Sequence, residues 1–267
     1  MSSRRLRVAL PLLASLLLSV AIAVPRVFAV DGVVLIDQSK VLAGGGFPFR
    51  ITTPGSYRLS GNLTLATAAD GIDVSAAPVT IDLNGFAITG VGPSAFDGIN
   101  GLAAGQLTVR NGVIQGFKFG LLSAGAISAR ELTIQNVFDG VEPNSTADLS
   151  HLIINASNDG VLCEADCLVT ECSVNATFGI SGLAGNMLAI DNNVVVSGLG
   201  FGAISGLILQ NSIAPSAGAA IVGIASNSTA SIIGYGRNQI ITNALGVCTK
   251  SGTIVSMGDN VCNGVRQ

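Results

Sequence analysis

From Gly71 onward the chain is written in short runs that alternate aliphatic and polar residues, most of them ending in Asn. Leu107-Thr108-Val109-Arg110-Asn111 and Leu132-Thr133-Ile134-Gln135-Asn136 are followed by Leu152-Ile153-Ile154-Asn155 and Cys172-Ser173-Val174-Asn175. Leu188 to Asn192 and Leu207 to Asn211 continue the series. A period of two places Leu132 and Ile134 on one face of an extended strand and Thr133 on the other. Between the runs a Gly followed by an aliphatic residue recurs at Gly71, Gly98, Gly120, Gly140, Gly160 and Gly179, about every 20 residues. Asp precedes four of these glycines, as Asp70, Asp97, Asp139 and Asp159.

Such a repeat predicts a solenoid in which each copy is one coil and strands stack at roughly 4.8 Å. Stacking the copies predicts an inward column of Leu107, Leu132, Leu152, Cys172, Leu188 and Leu207, with Cys172 a buried thiol in a leucine slot. Gly is expected at the corners to supply positive φ, and the strand-end Asn residues to bond across coils. Phe119, Phe138, Phe178 and Phe201 flank corner glycines and are expected to stack inside, with an exposed sugar platform as the alternative. Asp37 to Ala43 reads as a short helix, N-capped by Asp37 and followed by Gly44, that plugs the first coil.

Composition narrows the class. Of 267 residues 49% are apolar, 11% are charged and 34 are Gly, which excludes a disordered chain and a helical bundle. Arg4, Arg5 and Arg7 precede an apolar run from Val8 to Val24, so residues 1–29 read as a signal peptide cut after Ala23 or Ala29, an uncleaved anchor being the alternative. Cutting after Ala29 removes four of the 13 basic residues and none of the 16 acidic ones, leaving a net charge of −7. That balance argues against nucleic acid as partner. Residues 30–70 then form the N-terminal cap and first strands, 71–244 the repeats and 245–267 a C-terminal cap. No membrane span is expected once the signal is gone, and the location is secreted, extracellular or periplasmic.

Five cysteines in an exported chain read as disulfides with one left over. Cys248 with Cys262 and Cys163 with Cys167 are the expected pairs; zinc at Cys163, Cys167 and Cys172 is disfavoured because no His has matching spacing.

Pro54-Gly55-Ser56-Tyr57-Arg58-Leu59-Ser60-Gly61-Asn62-Leu63-Thr64, followed by Val79-Thr80-Ile81-Asp82-Leu83-Asn84-Gly85-Phe86 and Thr108-Val109-Arg110-Asn111-Gly112, resembles exported bacterial proteins of the pectate-lyase-like superfamily. The resemblance spans about residues 33 to 260. It implies an all-β, single-domain, right-handed parallel β-helix in a group without assigned activity. A leucine-rich repeat is the competing fold, but the connecting segments are Gly, Ser, Ala and Thr instead of helix formers. The glycine-histidine-glycine and arginine-isoleucine-lysine motifs of polygalacturonase-like hydrolases are absent.

Two constellations carry candidate chemistry. Glu131, His151 and Glu171 are spaced by 20 residues and precede the inward Leu132, Leu152 and Cys172, so they are expected to stand outward as a vertical triad able to act as general acid and base. A plain solvated column is the alternative. Asp139 and Asp159, with Asp97 a further candidate for the line and Glu142 and Arg130 near, form a second column that would hold a sugar or a cation; good Asp-Gly turn chemistry is the favoured explanation. No cofactor is expected, calcium being the ion such acids would take. The favoured function is binding of polysaccharide or a cell-envelope component along a long polar face. A polysaccharide lyase, hydrolase or epimerase and a passive scaffold are the alternatives.

Overall fold

In the computed structural model, residues 32–93, 95–102, 105–226, 232–243, 245–250 and 253–267 are described. The chain divides into two units, Met1–Gly32 and Val33–Gln267. The predicted signal segment lies outside the described residues, and the fold below is that of the second unit.

Val33–Gln267 is a parallel β-solenoid with three strands per coil. One coil shows the plan: Ala147–Ser150, a corner at His151, Ile153–Ala156, a turn through Ser157 and Asn158, Asp159–Cys163, and a loop back to Cys167. We call the three stacks sheets 1, 2 and 3 in that order. In sheet 1 Ile127, Ala147, Cys167 and Met187 pair in register, each 20 residues from the last. In sheet 2 Thr133, Ile153, Ser173 and Asn193 do the same, and in sheet 3 Ile99, Leu121, Val141, Val161 and Ile180. All strand pairs are parallel except the last, Val261–Cys262 with Val265–Arg266. Every second side chain points inward, and these form one continuous aliphatic core.

Leu132, Leu152 and Cys172 stack as expected, each one residue before the paired Thr133, Ile153 and Ser173. The rest of the predicted column is different. Leu107 pairs with Ile127 in sheet 1, whereas Leu188 and Leu207 pair with each other on the outward side of that sheet. Strands of two sheets have the same aliphatic-polar alternation, so sequence similarity merged them. Beyond Cys172 the inward column becomes Asn192, Asn211, Asn238 and Asn260, all buried. Each side-chain amide donates to the next Asn: Asn192 Nδ2 to Asn211 Oδ1 at 3.0 Å, Asn211 Nδ2 to Asn238 Oδ1 at 3.1 Å and Asn238 Nδ2 to Asn260 Oδ1 at 3.0 Å. The same oxygens accept the main-chain N–H of the preceding rung, from Cys172, Asn192, Asn211 and Asn238.

The corners also reverse an expectation. The repeated glycines of sheet 3 do not have positive φ. They are required by close approach: a Cβ on Gly120, Gly140 or Gly160 would lie 2.3 to 2.7 Å from the carbonyl oxygen of the next glycine in the column. Left-handed backbone falls at the sheet 1 to sheet 2 corner, on Asn111, Glu131, His151, Glu171, Asp191, Gln210 and Arg237.

The predicted helix is present at the N-terminal end, whereas Val247–Lys250, Thr253–Ser256 and Val261–Cys262 continue the three sheets by one more coil. Helix Gln38–Ala43 is capped by Asp37, whose carboxylate accepts the Lys40 N–H at 2.8 Å, and it seats Val41 in the core. Disulfides join Cys163 to Cys167 and Cys248 to Cys262. Cys172 is the free, buried thiol, and burial pushes its pKa up to about 11.

Candidate functional site

The outward edge of sheet 3, where the chain enters from sheet 2, gathers the carboxylates. The register runs Asp97, Phe119, Asp139 on successive rungs and then Asp159, Phe178. Phe96 and Phe138 precede Asp97 and Asp139 directly. Phe96, Phe138 and Phe178 are 36%, 41% and 39% exposed, and Phe119 is half-buried. Only Phe201 of the four rings expected inside is there. The core place at this corner is taken by Phe117, which is fully buried with its ring against Gly90 and Gly98. Lys118 lies over the Phe119 ring at 4.4 Å.

The carboxylates have two duties. Asp139 Oδ1 accepts the Asp159 N–H at 3.0 Å and the Asn158 amide at 2.9 Å, and Asn158 also donates to Asp159 Oδ2 at 2.7 Å. Asp70 similarly accepts the Asp97 N–H at 2.7 Å. These bonds fix one rung to the next, as turn chemistry predicts. The remaining capacity is electrostatic. Burial, with help from Asp70, raises the Asp97 pKa to about 7; burial and Asp139 raise Asp159 to about 6. Glu142 is raised by burial and by Glu164, and Asp73 by burial and by Asp70. Asp70, Asp73, Asp97, Asp139, Glu142, Asp159 and Glu164 thus form one acidic surface, with Lys118 and Arg50 as the nearby cations. Among the described residues no group of three or more His, Cys, Asp or Glu is arranged to hold a metal ion.

Around the corner, sheet 2 contributes a neutral polar strip. Gln135 Nε2 donates to Gln115 Oε1 at 2.8 Å, and Gln115 Nε2 to Thr89 Oγ1 at 3.1 Å. Asn155 and Asn175 continue the column in register. A hollow of about 370 Å³ opens between Pro93, Gln135, Asn155 and Ser157. Ser157, Thr177 and Ser197 form a hydroxyl line next to Phe138 and Phe178.

The second candidate, Glu131, His151 and Glu171, stands on the corner between sheets 1 and 2, all three in left-handed backbone. His151 Nε2 is 2.7 Å from Glu171 Oε2, and both side chains are more than half exposed. The three line a convex edge. Arg130 lies beside them on sheet 1, in register with Arg110 and Ser150, and is not part of the carboxylate surface. Sequence reasoning missed Phe96 and the bridging role of Asn158. The signal was present in Phe-Asp-Gly, which occurs at Phe96 and again at Phe138.

Comparison with protein-family models, with curated proteins and with solved structures finds no match. Along this surface exposed rings, hydrogen-bonding amides and carboxylates recur from rung to rung.

Proposed function

We propose that the chain is an exported β-helix of the pectate-lyase-like kind that binds polysaccharide along the corner between sheets 2 and 3. The observation that carries this reading is the set of exposed rings at this corner, Phe96 and Phe138 two rungs apart and one residue before the carboxylate column and Phe178 within that column, beside the Gln115, Gln135, Asn155 strip. Sugar C–H faces stack on aromatic rings, and hydroxyls pair with amides and carboxylates. Seven of the 16 acidic residues lie on this surface, so a polyuronate would meet uncompensated like charge. The reading is thus of a neutral or amino-bearing glycan. Two disulfides agree with an extracellular or periplasmic site, and among the described residues no helix is long and apolar enough to cross a membrane.

A panel of neutral, aminated and uronate polysaccharides tests this by affinity electrophoresis. Retardation by the first two that falls about tenfold in Phe138→Ala and Phe178→Ala supports it. Absence of binding to every glycan favours a scaffold.

A lyase, hydrolase or epimerase is the second reading, favoured by the His151–Glu171 pair. Glu171 would orient the imidazole as a general base, with Glu131 one rung away as acid. Formation of unsaturated or reducing ends that disappears in His151→Ala would establish it.

A further inference from the structure

The corner between sheets 2 and 3 carries a second regularity, along the solenoid axis. Main-chain bonds from each coil to the next fix the order of its rungs. Lys118 N–H donates to Phe96 O at 2.7 Å, Phe138 N–H to Lys118 O at 3.0 Å, Asn158 N–H to Phe138 O at 2.8 Å and Phe178 N–H to Asn158 O at 2.9 Å. Five successive rungs therefore present Phe96, Lys118, Phe138, Asn158 and Phe178, a ring on every odd rung and a polar side chain on every even one. The rings stand furthest out: Phe96, Phe138 and Phe178 are exposed, whereas Lys118 and Asn158 are half-buried. A neighbour holds each polar group down. The Lys118 ammonium lies over the Phe119 ring, and the Asn158 amide donates to Asp139 and Asp159. Phe178 sits one residue further along its strand than Phe138, so the row of rings leans as it climbs.

Two rungs span about 10 Å. Rings at that repeat suit a polymer that turns the same face to the protein at every second unit. We infer that the glycan of this corner is an extended β-1,4-linked hexose chain lying along the solenoid axis, one sugar to each rung; the inference rests on the glycan reading proposed above. One rung, about 4.8 Å, is close to the length of one pyranose residue in such a chain. Each residue of the chain is turned about half a revolution from the last, so the first, third and fifth present the same C–H face, which stacks on Phe96, Phe138 and Phe178. The second and fourth have no ring beneath them, and their hydroxyls meet Lys118 and Asn158. An α-1,4-linked chain curves and a β-1,3-linked chain coils, so neither keeps alternate residues over five rungs of a straight stack.

Isothermal titration tests this with pentamers of β-1,4-linked glucose, mannose and glucosamine against pentamers of α-1,4- and β-1,3-linked glucose. The best β-1,4-linked pentamer is expected to bind at least about tenfold tighter than either of the other linkages. Within its series, affinity should rise about tenfold on adding the third residue and again on adding the fifth, with little gain at the fourth, because only odd residues gain a ring. Phe178→Ala should cost the pentamer about tenfold and the trimer less than about threefold, since the trimer still spans Phe96 and Phe138.

Equal or tighter binding of the α-1,4- or β-1,3-linked pentamer overturns the inference; where that binding still falls in Phe138→Ala, the glycan corner stands without it. Affinity that climbs evenly with each added residue overturns it as well. So does a Phe178→Ala variant with the parent's thermal melt whose trimer and pentamer weaken alike. Binding to none of the pentamers also overturns it, and the polysaccharide panel then decides the glycan reading by itself.

Discussion

A Cβ placed on Gly140 would lie 2.3 Å from the carbonyl oxygen of Gly160 and 2.5 Å from Ile154 Cγ2. The contact partners are main chain and a packed core side chain, so neither can move aside cheaply. Gly140→Ala is expected to destabilise by about 3 kcal/mol or more. Gly61, with nothing within 4 Å and no positive φ, is the control: Gly61→Ala should be neutral or slightly stabilising. Urea unfolding of both variants measures the difference.

Glu131 has φ 56°, a conformation that costs an L-residue about 1 kcal/mol. Glu131→Gly should stabilise by about 0.5 to 1 kcal/mol, and Glu131→Val should destabilise by at least about 1 kcal/mol, because a β-branched side chain fits that region worst. Thermal melts read the sign. Equal melting of all three proteins would remove strain from the account of the corner.

Asn211 accepts from Asn192 N and Nδ2, and its own amide serves Ala189 O, Leu209 O and Asn238 Oδ1. Asn211→Ala leaves these buried groups without partners and should destabilise by about 3 kcal/mol. Cys172→Ala, which loses only a small apolar group, should cost about 1 kcal/mol. Hydrogen exchange should show the loss of protection at the Asn192 N–H first.

Asp97 at about 7 and Asp159 at about 6 hold their protons more tightly in the folded chain than in the unfolded one, where an Asp titrates near 3.8. Between about pH 4 and 7 the folded state therefore binds more protons, and stability falls as pH rises through that window. The stabilising contribution is complete below the unfolded pKa and gone above the folded one. A melting temperature that declines from pH 4.5 to 8, with a shallower decline in Asp97→Asn, is the expected result. A cationic glycan segment on this surface would draw both groups toward ionisation, so binding should release protons.

The degree to which the chain could be read in advance varies by residue. Asp37, with Lys40 three positions on and Gly44 after the helix, marks the cap without tertiary help, because N-capping is a local bond. The pairs Cys163–Cys167 and Cys248–Cys262 were legible from spacing. Glu131, His151 and Glu171 were correctly placed on one outward line, yet their left-handed backbone was not, since neither Glu nor His signals that region as Asn or Gly does. Phe138 and Phe178 were drawn toward the core by hydrophobicity and stand outward, since strand register sets them on the solvent side of a corner where Phe117 faces in.

By itself, the sequence determined the periodicity, the alternation within strands, the N-terminal capped helix and the disulfides, all of which depend on neighbours within about one coil. Which rung each strand belongs to was decided in three dimensions. Leu107 and Leu132 begin nearly identical runs but stand in different sheets, because a period of two is the same on every face of a solenoid. Only the register brings Asp139 beside Asp159 and Phe178, or turns Leu188, Leu207 and Gly234 into one outward stripe. The physical reason is that strand alternation specifies in from out, whereas contact between residues 20 apart is fixed by hydrogen bonds between coils and by which corner each coil can close.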